Sequence, residues 1–551
     1  MRLIVIGGLS AGPSAAAKAR RENEKAEILL FEKGAAVSYA TCGIPYALSG
    51  VIENREKLIV VEANLLKKRF NIDVHLEEEV LQVDIKNKAI TTTKSSYKYD
   101  KLIFATGASS TVPPIKNIQN TTNWSTCRTL NDFDRILSEG VIPEVNKTLV
   151  VGGGLIGVEL AENLREINKE VTLVEGGTQI LPMWSEVFAG MAEQILVENG
   201  IKILKSTFVN EFISESKKVN SVLVSNGQNI ETDYIILSTG IKPNTKLLID
   251  QGALHLKNGA LLVNEKMETS IPDIYAAGDN VAIKNLQTKT HDYFPLGTHS
   301  NKGGRTAGAN AVGAELEFKG AHKTAIVKVF DYTLARTGMS LQDLQKSAIN
   351  YTSVLTISGS TPSYYPNQKD IIVEIYYDKD THKILGAELF GENGVDKRVD
   401  VLSTAIYAGL RIEDLSQLDL AYAPPYSPAK DPIVVSGFVA ENSNRSKVNQ
   451  VLVEKFDLII QTKTEFTILD VRNKQELKSG FIPGSINIPL DELRDRLGEL
   501  KQDDNPIYIY CAKGMRGYLA SLILTQSNFK TVYNISGGFK MWRLFGGKVS
   551  M

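Results

Sequence analysis

Two segments of the chain share one pattern of apolar and polar positions. In the first, residues 3–6 and 27–31 are short apolar runs that predict buried strands, and residues 15–21 between them predict a helix. The second segment predicts strand, helix and strand in the same order over residues 148–151, 158–164 and 171–174. Each segment is therefore predicted to form a βαβ unit. Two units of the dinucleotide-binding type predict two bound nucleotides.

The pattern changes twice in the rest of the chain. Apolar runs at residues 326–330 and 371–377 predict strands, and residues 397–407 predict a helix, so residues 325–439 are predicted to form an α+β domain. Residues 441–447 are polar and predict a linker. A last α/β domain is predicted from strands at residues 467–469 and 507–510 and a helix at 516–525.

Composition narrows the choice of function. A chain of 551 residues is too long for one hydrophobic core and predicts about three to four domains. The net charge of -1 does not favour a nucleic-acid partner. We expect no membrane span and no signal peptide, because no apolar run has the required length. The three cysteines are too few and too widely spaced for a disulfide framework, which favours a reducing cytoplasm.

The second βαβ unit carries the stronger nucleotide signature. Residues 152–157 read G-G-G-L-I-G, so that Gly152, Gly154 and Gly157 fit the glycines of G-x-G-x-x-G. Such glycines allow a tight turn and a close approach of backbone N–H groups to a pyrophosphate. Glu175 ends the next strand, where a carboxylate binds a ribose 2′-hydroxyl and repels a 2′-phosphate. NADH is therefore favoured over NADPH.

The first unit fits the same signature less closely. Its loop, residues 7–12, reads G-G-L-S-A-G, with leucine in place of the middle glycine. Glu32 ends the second strand and supplies the acid expected at a ribose. The predicted nucleotide contacts of this loop are Gly7, Ser10, Ala11 and Gly12.

Two further apolar runs allow the chain to be compared with one particular protein family. Residues 103–107 (I-F-A-T-G) end in a small-residue turn, and residues 274–279 (I-Y-A-A-G-D) end in an acid. With the two loops, they resemble the flavoprotein pyridine-nucleotide disulfide reductases over residues 1–439. The resemblance implies FAD on the first unit and NAD(P)H on the second. It also implies FAD contacts at Lys33, Ala105, Thr106, Gly107, Asp279 and Thr298.

Cys42 lies in the segment V-S-Y-A-T-C-G-I-P-Y, and the next cysteine along the chain is Cys127. A single cysteine beside a flavin cycles through a mixed disulfide, a persulfide or a sulfenic acid. A helix N-terminus after Cys42 is expected to lower the pKa of its thiol. The segment resembles the single-cysteine branch of the family: coenzyme A disulfide reductases, persulfide-reducing relatives, and NADH peroxidases or oxidases. Cys127 has no such context, and we interpret it as structural.

The resemblance to coenzyme A reductases implies further substrate contacts. Those enzymes carry a tyrosine pair that reaches the partner subunit of a homodimer. Tyr364 and Tyr422 are the best matches here, with Tyr365 and Tyr426 as neighbouring alternatives. Thr41 occupies a position where the coenzyme A enzymes usually have asparagine. The implied contacts to coenzyme A are Arg21, Ser38, Thr41 and Lys430, of which the two cations would bind phosphates.

Cys511 lies between a predicted strand and a predicted helix, in the segment Y-I-Y-C-A-K-G-M-R-G. Backbone N–H groups, the helix dipole, Lys513 and Arg516 would favour an anion at this sulfur. The segment resembles the active loop of rhodanese domains, and residues 469–472 and 480–489 resemble other signatures of that family. Phe481 stands where histidine is common.

These resemblances imply an α/β chain with two Rossmann-type nucleotide-binding domains, an α+β dimerisation domain and a C-terminal α/β rhodanese domain. The FAD domain is expected at residues 1–110 and 243–322, around an NAD domain at 111–242. The dimerisation domain is expected at 323–440, a linker at 441–450 and the rhodanese domain at 451–551.

The resulting hypothesis is an NADH-dependent flavoprotein that reduces coenzyme A persulfide, polysulfide or coenzyme A disulfide at Cys42, with Cys511 handing on sulfane sulfur. No metal is predicted. Three alternatives stay open: an NADH peroxidase or oxidase, a redox sensor with negligible turnover, and a sulfurtransferase that delivers sulfur from Cys511 to an acceptor protein. Peroxidases typically keep a histidine between the first helix and the second strand, and residues 11–31 contain none.

Overall fold

The computed structural model describes residues 1–445, 448–462, 465–502 and 504–551. It contains two compact units, one of residues 1–181 with 196–322 and the other of residues 182–195 with 323–551. The helix Glu186–Glu198 begins in the second unit and ends in the first. Across the described residues, none of the helices combines the length and the apolar character that crossing a membrane requires.

Two parallel five-stranded sheets form the framework of the first unit, as the two βαβ patterns predict. The first sheet has the order Ile274–Ala276, Lys101–Phe104, Arg2–Ile6, Glu27–Phe31 and Asp73–His75. The second has the order Lys202–Leu204, Glu170–Val174, Lys147–Val151, Tyr234–Leu237 and Trp124–Thr126. Near-continuous apolar runs form these strands because both faces of a parallel sheet are covered.

Two glycines bring the first helix, Ala11–Glu22, close to the helix Gly297–Ala311. A Cβ atom at Gly304 would lie 2.3 Å from the Ala11 carbonyl oxygen, and one at Gly308 would lie 2.1 Å from that of Ala15. Only residues without a side chain allow backbones to approach this closely. The crossing therefore fixes the helix that carries Thr298 against the helix that follows the first glycine loop.

Smaller elements complete the first unit. Its antiparallel ribbons are Val80–Asp84 with Ala89–Thr92 and Ser96–Lys98, Val209–Glu215 with Lys218–Val224 and Asn229–Glu231, and Ala108–Ser110 with Ile241–Pro243. A further small sheet joins Leu261–Leu262, Val281–Lys284 and His291–Asp292. The other helices are Ile44–Leu48, Ala63–Phe70, Leu130–Arg135, Leu155–Glu166 and Lys246–Ile249.

The second unit opens with a five-stranded antiparallel sheet, which confirms the predicted α+β pattern. The strand order is Ala325–Val329, Tyr332–Gly338, Ile384–Gly391, Asp370–Asp378 and Tyr351–Gly359. The helices are Leu341–Gln345, Val395–Ala408 and Pro432–Asn444. The two longer helices share one apolar core with this sheet.

A parallel sheet forms the C-terminal domain, as predicted. Its order is Asn449–Val451, Val532–Ile535, Ile507–Tyr510, Thr467–Asp470 and Ile486–Asn487. The helices are Val453–Ile460, Met515–Gln526 and Gly538–Leu544.

Part of the segment predicted to be a linker, residues 441–450, is helical in the structure. Glu441–Asn444 belong to the helix Pro432–Asn444, because the buried residues Ile433, Ser436 and Ala440 extend its inner face to this point. A strand begins again at Asn449, while Ser446 and Lys447 lie outside the described residues. The polar stretch is thus partly the exposed end of a helix.

Candidate active site

The first glycine loop turns tightly between strand Arg2–Ile6 and helix Ala11–Glu22. Gly7 has φ +106°, and a Cβ there would lie 2.1 Å from the Ala105 carbonyl oxygen. A Cβ at Gly12 would lie 1.8 Å from the Gly7 carbonyl oxygen, so both positions require glycine. The Ser10 hydroxyl is buried and has no hydrogen-bond partner among the described residues. A buried hydroxyl at the start of a helix fits a phosphate of FAD.

Glu32 and Glu175 hold the two glycine loops in the same way. The Glu32 carboxylate accepts hydrogen bonds of 2.7 Å from the backbone N–H groups of Gly8 and Gly34. The Glu175 carboxylate accepts bonds of 2.6 Å from Gly153 and Gly177. Each carboxylate therefore shapes its loop. A carboxylate has about four acceptor sites, which leaves capacity for a ribose hydroxyl.

In the second loop, Gly152 and Gly157 have no space for a side chain, whereas Gly154 does. A Cβ at Gly152 would lie 2.5 Å from the Ser238 carbonyl oxygen, and one at Gly157 would lie 1.8 Å from the Gly152 carbonyl oxygen. At Gly154, a Cβ would meet no described atom within 4 Å. This open position at the start of helix Leu155–Glu166 fits a pyrophosphate.

Asp279 lies at the centre of a polar cluster that includes a residue not predicted from the sequence. Its carboxylate accepts hydrogen bonds from Arg128 at 2.7 Å and from the Ser300 hydroxyl at 3.1 Å. Arg128 also donates to the Ala108 carbonyl oxygen at 2.7 Å. The ion pair fixes the carboxylate at which the family resemblance implies an FAD contact. Only a search for the cation matching Asp279 could have selected Arg128.

The other predicted FAD residues differ in their surroundings. The Thr106 hydroxyl donates to the Asn244 carbonyl oxygen at 2.6 Å, and Ala105 is buried. Gly107 has φ +60°, with no described atom within 4 Å of a Cβ. Lys33 and Thr298 are exposed, and Thr298 is the second residue of helix Gly297–Ala311.

Cys42 lies in the single turn Thr41–Gly43, which is followed by the short helix Ile44–Leu48. The adjoining segment is tied to the first glycine loop, because the Ser38 N–H donates to the Gly8 carbonyl oxygen at 2.8 Å. Cys42 is exposed, whereas Cys127 is 6% exposed. Of the three thiols, Cys42 therefore stands open to a substrate beside the predicted flavin site.

The expectation that a helix would lower the pKa of Cys42 is wrong for the protein alone. Although solvent reaches the Cys42 side chain, the surrounding protein atoms displace much of the water around its sulfur and so raise this pKa. A hydrogen bond with Thr41 only partly opposes the rise. The carboxylates of Glu159 and Asp279 raise it further, while Arg128 lowers it. The following helix has only five residues, so its dipole is small.

Glu159 is a second residue near the site that was not predicted from the sequence. The Tyr46 hydroxyl donates to its carboxylate at 3.2 Å, and the Ser49 hydroxyl donates to the Asn163 side chain at 2.6 Å. These bonds join the segment after Cys42 to helix Leu155–Glu166. Burial and the neighbouring Glu162 raise the pKa of Glu159 to about 7. The charge of Glu159 acts on Cys42, because it raises the pKa of that thiol.

We expect Glu159→Gln to shift the ionisation of Cys42 to lower pH, because it removes a negative charge that disfavours the thiolate. The pH dependence of iodoacetamide alkylation measures this shift when peptide mapping isolates Cys42. Glu166→Gln is the matched control, since Glu166 is an exposed carboxylate on the same helix. An unchanged profile, or a shift to higher pH, contradicts the expectation.

Tyr364 and Tyr422 are brought together, 58 positions apart in sequence, with their hydroxyl oxygens 3.2 Å apart. Tyr364 is 71% exposed and Tyr422 is 52% exposed. Tyr365 is half-buried and Tyr426 is exposed, and no hydrogen bond joins their side chains within the described residues. The hydrogen bond between the two phenols raises the pKa of Tyr364. The predicted pair, Tyr364 and Tyr422, is thus joined by a hydrogen bond between its two hydroxyl groups.

A buried ion pair supports the segment that carries Tyr422. Arg398 and Asp431 pair at 2.9 Å, and the Ser427 hydroxyl donates to Asp431 at 2.8 Å. Lys430 is exposed beside this pair, and Arg21 is exposed in the last turn of helix Ala11–Glu22. Both cations are accessible to phosphate groups.

Cys511 directly follows strand Ile507–Tyr510 and is 2% exposed. The Gly514 N–H donates to its sulfur at 3.1 Å, which supplies one of the backbone contacts expected in the loop. The two loop cations already have partners. Lys513 pairs with Asp370 at 2.8 Å, and Arg516 donates to both oxygens of Glu476 at 2.6 and 2.7 Å.

Comparison with known proteins identifies the family to which the nucleotide-binding domains belong. Residues 1–294 match the family model described as pyridine nucleotide-disulphide oxidoreductase. The chain belongs to the pyridine nucleotide-disulphide oxidoreductases. This oxidoreductase also matches the dimerisation domain of the same family at residues 324–432 and the rhodanese-like domain at residues 453–544. The matches confirm the predicted fold class and the dependence on FAD and a nicotinamide nucleotide.

Several relatives of this oxidoreductase are similar over most of its length. The NAD(P)H coenzyme A polysulfide/persulfide reductase of Pyrococcus horikoshii is 32% identical over 438 residues, which cover 79% of this chain and 97% of the relative. Reduced Bacillus anthracis CoADR-RHD is similar with a TM-score of 0.94 and 38% identity, over 99% of this chain and 98% of that one. A NAD-dependent persulfide reductase from A. fulgidus has a TM-score of 0.92 and 35% identity, over 98% of this chain and 100% of that one.

The described residues contain no group of three or more His, Cys, Asp or Glu side chains that could hold a metal ion.

Proposed function

We propose that this oxidoreductase uses NADH to reduce coenzyme A persulfide at Cys42, releasing coenzyme A and hydrogen sulfide. Coenzyme A disulfide and polysulfide are further substrates of the same site. The main support for this proposal is that Cys42 is exposed, whereas the other two cysteines are buried. The segment next to Cys42 is also hydrogen-bonded to the first glycine loop. With no second thiol at hand, the substrate sulfur itself has to form the disulfide partner.

Atoms and electrons balance in this reaction when the Cys42 sulfur is the only protein atom that forms and breaks bonds. Its thiolate attacks the coenzyme A sulfur of the persulfide, forming a mixed disulfide and expelling HS⁻, which takes up a proton. Two electrons and a proton then cleave the mixed disulfide into coenzyme A and the Cys42 thiolate. When bound, FAD would supply these electrons after accepting hydride from NADH. Thr41 supports the thiolate by a hydrogen bond, and Ser38 and Thr41 flank the substrate.

The proposal predicts the order of activity with different acceptors. NADH oxidation should be fastest with coenzyme A persulfide and slowest with hydrogen peroxide, and Cys511→Ser should spare it. Measuring both acceptors, together with polysulfide and coenzyme A disulfide, separates the alternatives. Faster turnover with peroxide would identify a peroxidase, and negligible turnover with every acceptor would identify a redox sensor.

The oxidoreductase is further proposed to act as a homodimer, in which Tyr364 and Tyr422 reach the partner's Cys42 site. A phenol can donate a proton to the leaving thiolate. The exposure of both hydroxyls and the match to a dimerisation domain support this role. Arg21 and Lys430 would bind the phosphates of coenzyme A. A reducing cytoplasm would keep Cys42 and Cys511 as thiols.

Subunit mixing tests the tyrosine proposal. Cys42→Ser and the double variant Tyr364→Phe/Tyr422→Phe should each be nearly inactive, because each lacks one half of every site. Random mixing should restore about a quarter of wild-type activity, since half of the dimers then contain one complete site. If the tyrosines act within their own subunit, mixing restores nothing. Mixing Cys42→Ser with itself under the same conditions is the control.

A further inference from the structure

The charge balance around Cys511 differs from that of a site that binds a small dianion. Among the described residues around this loop, the cations are Lys513, Arg516, Lys540 and the buried Arg472. The guanidinium of Arg472 lies over the Phe539 ring and is neutralised by the buried Asp470 at 2.7 Å. Lys513 and Lys540 share the Asp370 carboxylate at 2.8 and 2.5 Å, and Arg516 is held by both oxygens of Glu476. Apart from the neutral Arg472–Asp470 pair, three cations therefore face two carboxylates, and one positive charge is left for the sulfur.

Both carboxylates are held in the ionised form. Burial acts to raise the pKa of Asp370, but hydrogen bonds from Lys513 and Lys540 lower it overall. The hydrogen bonds from Arg516 lower the pKa of Glu476. Asp370 and Glu476 therefore stay negatively charged at neutral pH and continue to neutralise the cations that they pair with.

Asp370 lies outside the rhodanese domain. It is the first residue of strand Asp370–Asp378, in the antiparallel sheet of the dimerisation domain, and its side chain is only 15% exposed. The backbone of Lys540 also binds the cysteine loop, donating to the Ala512 carbonyl oxygen at 3.0 Å. A carboxylate of one domain thus pairs with two lysines beside the sulfur site of another domain in the same compact unit.

We propose that Asp370, together with Glu476, makes Cys511 select a persulfide carried on a thiol and reject a small dianionic donor such as thiosulfate. This inference rests on the proposed function, in which Cys511 handles sulfane sulfur. With a persulfide R–S–SH, the Cys511 thiolate attacks the terminal sulfur, the S–S bond of the donor breaks, and the leaving thiolate takes the proton as R–SH. With thiosulfate, the same attack expels sulfite.

The charges at the two transition states differ. Transfer from an organic persulfide involves one negative charge, which the remaining positive charge balances. Transfer from thiosulfate brings three negative charges together, which requires free cations. Lys513 and Lys540 would be such cations only after release from Asp370. Asp370 and Glu476 are thus positioning residues, because they act on the donor through the lysines and the arginine.

The test measures persulfide formation on Cys511 of the full-length FAD-containing protein, by alkylation and peptide mass mapping, in the absence of NADH. The donors are thiosulfate and the persulfide of 2-mercaptoethanol. Asp370→Asn should increase the rate constant with thiosulfate by about 10-fold or more, and this gain should fall as salt is added. The rate constant with the organic persulfide should stay within about 2-fold.

Two further variants keep the test decisive. Asp370→Glu retains the carboxylate and should behave like the wild type. Glu476→Gln, which releases Arg516, should reproduce the selective gain if Asp370→Asn does not fold. Equal changes with both donors would show a merely structural role, and no change with either would show that the charges do not set selectivity; either result overturns the proposal. Because NADH is absent, failure of the Cys42 reaction does not affect the readout.

Discussion

Cys42→Ser is expected to reduce NADH oxidation with coenzyme A persulfide, coenzyme A disulfide and polysulfide by about 10³-fold or more, as losses of catalytic nucleophiles generally do. A serine hydroxyl can neither form a disulfide nor leave as a stabilised anion at neutral pH. Steady-state kinetics with each acceptor measure the loss. FAD content and reduction of the bound flavin by NADH should remain, since Cys42 contributes no atom to either glycine loop.

Cys127→Ser is the matched control for this variant. Cys127 is buried, and burial raises the pKa of its thiol well above the usual range, so it is poorly suited to exchange with a substrate. We expect its loss to leave turnover with sulfur acceptors essentially unchanged. Full activity of Cys42→Ser, or a comparable loss in Cys127→Ser, would contradict the assignment of the redox thiol.

Gly154→Ala is expected to raise the KM for NADH by about 10-fold or more, a loss of about 1.4 kcal/mol of binding. In the protein alone, the added methyl group meets no described atom within 4 Å, so the fold should tolerate it. The methyl group would instead occupy the space through which the backbone approaches the pyrophosphate. Steady-state kinetics give the KM, and thermal unfolding shows whether the fold is preserved.

Gly190→Ala is the control for Gly154→Ala, because a Cβ there also meets no described atom within 4 Å. It lies within the helix Glu186–Glu198, where alanine is favoured over glycine. We expect no change in its KM for NADH. An unchanged KM in Gly154→Ala would place the nucleotide away from this loop.

Local sequence predicted the elements that depend on local chemistry. The glycine loops could be recognised because Gly7, Gly152 and Gly157 occupy positions where any side chain would collide with backbone. The strand before Cys511 and the helix after it could be predicted from the spacing of apolar residues within one segment. Such features need no knowledge of distant residues.

Partners distant in sequence could not be predicted in the same way. Arg128 reaches Asp279 across 151 positions, and Lys513 reaches Asp370 across 143 positions. Lys513 and Arg516 were recognised as cations near Cys511, but the carboxylates that compensate them depend on tertiary packing. The raised pKa of Cys42 has the same origin, because surrounding atoms outweigh the short helix after it.

The boundary between the last two domains illustrates a different limit. Residues 441–444 are polar, yet they continue a helix because Ala440 and the residues before it supply the buried face. Polarity alone therefore could not separate a linker from the exposed end of a helix.

The proposed reaction requires that Cys42 forms and then loses a mixed disulfide with the substrate thiol. The most direct test is to treat the protein anaerobically with coenzyme A disulfide, map the modified peptides by mass spectrometry, and then add one equivalent of NADH. We expect a coenzyme A adduct on Cys42, which NADH removes with release of coenzyme A. An unmodified Cys42, or an adduct that persists after NADH has reduced the flavin, would contradict it.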